Sequence, residues 1–252
     1  MIRQHTKYIS LLLACCASGA LANENLIAPP MQAAGITQTS VEENGPAYSL
    51  TTGWTSKYVT EGIDCIPGSS IWEVAPSVAY KNWTLSAWYA SGVSQSYEEL
   101  DLVLSYTFKN GDWTFTPWYE HQIYFTPDYN VANPAFTVGY ALNDWLTVGA
   151  DAQWKIEHQV MEGYYDLFIQ ATWTPIENLT ITPLVRFGYN SGYNLSAGDG
   201  ANCIDYSMKA TYALTDNLSV SALIYYTQAA TVLRRANLGN EFVYGAYINL
   251  NF

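Results

Sequence analysis

From Tyr48 to Phe252, apolar and polar side chains alternate one by one in short runs separated by turn residues. A period of two sends successive side chains to opposite faces of an extended chain, so each run predicts a strand with one apolar and one polar face. In the first run, 48–58, Tyr48, Leu50, Thr52, Trp54 and Tyr58 alternate with Ser49, Thr51, Gly53, Thr55 and Lys57. Further runs cover 72–80, 83–89, 100–108, 113–119, 136–142, 146–154, 165–173, 179–189, 204–214, 218–226 and 242–252, twelve in all. Turn chemistry punctuates them: Asn110-Gly111 is a strong hairpin signal, and Lys81-Asn82, Asn143-Asp144 and Thr215-Asp216-Asn217 mark other tight connections.

Connections are short after the even-numbered runs and are expected to be long after the odd ones. A transmembrane barrel alternates in this way, with tight periplasmic turns and longer extracellular loops. Trp83, Trp113 and Trp145 follow short turns and Trp173 precedes one, the level of a periplasmic aromatic girdle. Alternation alone also suits a soluble β-sandwich or a lipocalin-like barrel, whose apolar face would point inward. Three features favour the membrane: an export signal, the common level of the Trp residues, and a last strand apolar at every second position. The expected fold class is therefore all-β, a twelve-stranded antiparallel transmembrane β-barrel with up-and-down meander topology over residues 47–252.

Residues 1–22 read as a signal peptide: Arg3 and Lys7 precede an apolar stretch over 9–16, and Ala20-Leu21-Ala22 offers a cleavage site. Leu12-Leu13-Ala14-Cys15 loosely resembles a lipoprotein cleavage site, but would leave a very short apolar region. Residues 23–46, with Pro29-Pro30 and Glu42-Glu43, lack an apolar period and read as a periplasmic linker. Export to a bacterial outer membrane follows. Cleavage after residue 22 removes two of the 10 basic residues and none of the 22 acidic ones, so nucleic acid is a poor partner. It also leaves only Cys65 and Cys203, a candidate disulfide between two extracellular loops.

Ser49-Leu50-Thr51-Thr52-Gly53, followed by Ser56-Lys57-Tyr58-Val59 and Gly62, and Tyr97-Glu98-Glu99-Leu100-Asp101-Leu102 entering a strand, resemble the TorF-type porins. The resemblance implies an outer-membrane barrel that passes small solutes and supplies no catalytic residues. Where that family often carries Arg before the glycine, this chain has Glu61, which removes any anion contact made there.

Charged side chains within the strands share the parity of Thr, Ser and Gly. Lys57, Glu73, Asp101, Glu120, Asp151, Lys155, Asp166, Arg186, Asp205, Lys209 and Glu241 are the expected lumen set. At mid-depth a Lys or Arg facing lipid costs ~2–4 kcal/mol, which forces them inward. Acids prevail in that set, and Glu61, Asp64, Glu98, Glu99, Asp128, Glu157, Glu162 and Asp199 are expected to add charge in the outer loops. Neighbouring strands face each other at residue numbers of constant sum, which predicts Lys155 opposite Asp166 and Arg186 opposite Asp205. Tyr244, Ile248, Leu250 and Phe252 form an expected signal for the barrel assembly machinery, and Arg234-Arg235 an expected contact to lipopolysaccharide phosphate beside outer-membrane lipid. Of the mature histidines, His121 has outward parity and His158 falls in a loop, and neither has metal-pair spacing. No enzyme, metal or cofactor is expected. The function expected is a narrow, cation-preferring passive channel for small hydrophilic solutes; the alternative is a non-conducting barrel whose outer loops bind a partner.

Overall fold

The computed structural model describes residues 45–126, 128–157, 160–193 and 198–252. The signal peptide, the linker up to residue 44 and His158 lie outside the described residues. Twelve barrel strands follow in chain order: β1 (Ala47–Thr55), β2 (Ile71–Tyr80), β3 (Trp83–Gly92), β4 (Glu98–Tyr106), β5 (Trp113–Phe125), β6 (Asp128–Asn143), β7 (Leu146–Glu157), β8 (Val160–Ala171), β9 (Leu179–Ser191), β10 (Gly200–Ala213), β11 (Leu218–Ala229) and β12 (Glu241–Asn251). Short segments, Phe108–Asn110 and Trp173–Ile176, prolong β4 and β8 at their periplasmic ends. Each strand pairs antiparallel with its neighbours in sequence, and β1 pairs with β12, so the sheet closes. Leu50 stands opposite Leu250, and the Phe252 N–H donates to the Tyr48 carbonyl at 2.9 Å. Closure leaves no open edge to attract another chain.

The outward face is apolar around the ring. Leu102, Tyr119, Leu167, Ile169, Met208, Ile224 and Ile248 are all exposed, an arrangement stable only against hydrocarbon. Below this band Trp83, Trp113, Trp145 and Trp173 are likewise exposed, and Trp83 packs on Tyr106 and Trp113 on Tyr140 with ring centroids 4.8 Å apart. Among the described residues no helix is long and apolar enough to cross a membrane, and the crossing is made by strands.

At two of the expected long loops the strands themselves run on instead. Phe125 and Asp128, and Glu157 and Val160, close the β5–β6 and β7–β8 hairpins with two residues between strand ends. The strands continue past residues 119 and 154 and begin before 136 and 165, where outward positions such as His121, Asn130 and Gly163 interrupt the apolar alternation, so periodicity alone ended them early. Inside, bulky rings are accommodated by glycine. Tyr247 lies across Gly53 on the neighbouring strand, where a Cβ would come within 2.2 Å of the ring. The lumen is thereby narrowed from within by an aromatic side chain.

Candidate functional site

The lumen has two different halves. Toward the periplasm its wall mixes hydroxyl side chains, with Ser49 and Ser77 hydroxyls 2.8 Å apart and Thr211 and Ser221 hydroxyls 2.9 Å apart, with buried apolar ones such as Val103, Trp118, Phe168 and Leu184. The charges lie from mid-strand outward, except Lys209, which stands nearer the periplasmic end of β10. Ten of the eleven expected lumen residues occupy inward strand positions, and Lys57 lies just past the end of β1.

A buried carboxylate has lost its water and needs donors in exchange. The wall supplies them from aromatic and hydroxyl side chains. Trp88 Nε1 donates to Glu73 at 2.6 Å, Thr137 to Asp151 at 2.5 Å, Thr227 to Asp205 at 2.6 Å, and the Asn133 amide to Glu120 at 2.9 Å. Asp101 is buried beside Glu99 and Glu120 on the same wall. Lys209 faces Glu73 across the lumen from β10. Arg186 stands opposite Asp205 in the β9–β10 ladder, as the constant sum requires, and also lies within electrostatic reach of Asp166 and Asp151.

The β7–β8 register differs from expectation. Lys155 stands opposite Glu162, with Nζ 3.2 Å from the carboxylate and 5.3 Å from the Tyr193 ring centroid, while Asp166 stands opposite Asp151. The pairing is shifted by four residues, with Glu157 opposite Val160. Parity, and therefore facing, is unchanged.

Sequence reasoning missed the segment that fills the outer lumen. Residues 56–58, expected to end the first strand, and 59–70, expected as an outer loop, together fold inward as a strap. Val59–Thr60 and Ile63–Asp64 make a small hairpin whose turn residues, Glu61 and Gly62, both have positive φ, 43° and 77°. That is type I′ geometry, for which a glycine at the second position is suited. A Cβ at Gly62 would also meet Leu233 at 2.6 Å and Thr227 at 2.7 Å. The strap crosses the barrel: Gln153 Nε2 on β7 donates to Glu61 Oε1 at 3.1 Å, and Asn202 Nδ2 on β10 donates to the Glu61 carbonyl at 2.7 Å. In a ring of twelve, β7 is diametrically opposite β1, where the strap begins.

Apolar side chains seat the strap on both walls. Tyr58, Cys65 and Ile66 pack against Ile71, Trp88, Tyr97 and Tyr124; Ile63 packs against Ala229 and Leu233, and Val59 against Tyr225 and Val243. The Tyr58 hydroxyl donates to Glu99 at 2.6 Å, and Tyr97 donates to the same oxygen. Burial, reinforced by Glu99, pushes the Tyr58 phenol well above its ordinary range, so it remains a donor. At the rim Lys57 Nζ lies 2.6 Å from Glu241 and 3.7 Å from Asp64. Its hydrogen bond to Glu241 raises the Lys57 pKa above 10.5, whereas burial raises Asp64 against the pull of Lys57.

Three acids expected in the outer loops, Glu61, Glu99 and Glu162, are instead buried in the lumen. The expected disulfide is not formed. Cys65 and Cys203 are buried thiols in separate clusters, Cys65 on the strap and Cys203 on the β10 wall, with Cys203 Sγ 3.4 Å from the Tyr164 hydroxyl. A signal for the strap was present: Val59, Ile63 and Ile66 are apolar residues in a stretch expected to meet water, and Glu61-Gly62 sits between β-branched neighbours.

No family model and no curated protein matches the sequence. Solved structures do. The KdgM porin aligns with a TM-score of 0.58 at 14% identity over 81% of this chain and 99% of its own. The barrel shares its fold with porins. The NanC porin aligns with a TM-score of 0.56 at 12% identity, over 81% and 98% of the two chains. The COG4313 outer-membrane channel of Pseudomonas putida F1 gives 0.50 at 9%, over 82% and 96%. At such identities the likeness is one of fold.

Proposed function

We propose that this chain is a bacterial outer-membrane channel for small hydrophilic solutes, with a lumen that prefers cations. The observation that carries the reading is the inward face, which holds the buried charges of the barrel and on which carboxylates outnumber Lys57, Lys155, Arg186 and Lys209. A lumen lined by one sign of charge concentrates ions of the other sign. KdgM has been solved in complex with oligogalacturonate; a polyanion of that kind is a poor match for the acidic wall here. The short motifs shared with TorF-type porins agree with a passive channel, and Arg234 and Arg235, exposed on the helix Thr231–Arg235 (α1), suit lipopolysaccharide phosphate.

Planar-bilayer recording under a salt gradient tests the reading. Reversal potentials should show cation selectivity, stronger in Arg186→Ala and little changed in Glu98→Ala, whose side chain is exposed. Anion selectivity at low salt contradicts the proposal. The filled outer lumen favours a second reading, a non-conducting barrel with a recognition surface. Absence of conductance even after removal of the strap would select it.

A further inference from the structure

We propose that residues 56–70 are the gate of this channel and that Glu61 is its latch; the inference rests on the channel reading above. The strap spans the lumen from β1 to the opposite wall, where Gln153 holds its tip, and so stands across the path through the outer half while it is seated. Its hairpin belongs to a separate two-stranded sheet, and the barrel ladder from β1 round to β12 closes without it. It can therefore leave the lumen without breaking a barrel strand pair.

The far wall is shaped to receive the tip. Between Gly188 and Tyr189 the β9–β10 register shifts by one residue, so Asn202 and Cys203, adjacent in sequence, are both fully buried on the lumen side. Bulges of this kind re-aim a side chain. Here the bulge aims the Asn202 amide at the Glu61 carbonyl, while Gln153 meets the Glu61 carboxylate from β7. Thr60 completes the clasp, its hydroxyl donating to the second carboxylate oxygen at 2.9 Å. The acidic tip is thus held by neutral donors from two strands, an arrangement that a change of one donor to an acceptor reverses.

The test uses the native thiol on the strap as reporter. In a Cys203→Ser background, Cys65 is buried while the strap is seated and meets water once it swings out. Proteoliposomes are labelled with a membrane-impermeant maleimide, and the same proteins are recorded in planar bilayers. Gln153→Glu places a second carboxylate against Glu61, and Glu61→Gln removes the charge from the latch. Each should raise open probability and the Cys65 labelling rate together by about tenfold or more, the worth of a hydrogen bond to a charged group. Replacing residues 58–66 by a short Gly-Ser link should hold the channel open. If native and strap-deleted barrels conduct alike, or conductance rises in Gln153→Glu with no faster labelling, the gate is overturned and the channel stands. If neither native nor deleted barrel conducts, the channel reading itself falls.

Discussion

The buried pair Lys155–Glu162 offers a measurement that separates the observed β7–β8 register from the one expected by constant sum. Lys155 is fully buried, and its ammonium lies 3.2 Å from the Glu162 carboxylate. Lys155→Met leaves Glu162 buried without that cation, and breaking a buried pair costs about 3–5 kcal/mol. Glu162→Gln takes the carboxylate away from the ammonium in turn. Once one partner is gone, losing the other costs much less, so the double variant should recover about 2 kcal/mol or more as coupling. Asp166 serves as the control. It stands opposite Asp151, four residues along the strand from Lys155, an offset of ~14 Å at ~3.4 Å per residue. Lys155→Met and Asp166→Asn should therefore add to within ~0.5 kcal/mol. Reversible urea unfolding of the barrel from lipid vesicles, followed by Trp fluorescence, gives the four stabilities of each cycle. Stronger coupling of Lys155 to Asp166 than to Glu162, or a cost below about 1 kcal/mol for Lys155→Met, would refute the register and the energetic argument with it.

Deleting Phe252, whose backbone closes the β1–β12 seam at Tyr48, should lower the yield of heat-modifiable barrel far more than deleting residues 23–40; equal yields would remove the seam and assembly argument. The rim clamp should also depend on pH. The folded Lys57 pKa is raised above 10.5 by Glu241, so its contribution is complete below that value and is lost as pH rises through the folded pKa. Open probability should accordingly climb in strongly alkaline solution in the native channel, and Lys57→Met should abolish that climb; a climb of equal size in Lys57→Met would discount the clamp.

Strand number, facing and the membrane were legible in the sequence because each is a local or periodic property. A residue such as Leu167 or Ile224 faces out by parity alone, and a charged one such as Asp205 must face in, because hydrocarbon tolerates neither an exposed charge nor an unpaired peptide. The tilt in favour of acids inside the barrel was equally a matter of counting residues of inward parity. Register and loop conformation obey a different physics. Lys155 opposite Glu162 and Lys155 opposite Asp166 preserve the same facing, so periodicity cannot choose between them; the continuation of both strands to Glu157 and Val160, which pair, does. Cys65 and Cys203 were read as lying in two outer loops, whereas Cys203 stands on the β10 strand and the direction of the strap places the two in different clusters. The inward course of residues 56–70 depends on groups scattered over the whole barrel. Gln153 and Asn202 at its tip, Tyr97 and Tyr124 on one wall, and Tyr225 and Leu233 on the other come within reach only after the sheet has closed. Local sequence specified the hairpin turn at Glu61-Gly62; closure of the ring decided where it points, because only a complete ring presents a wall opposite β1.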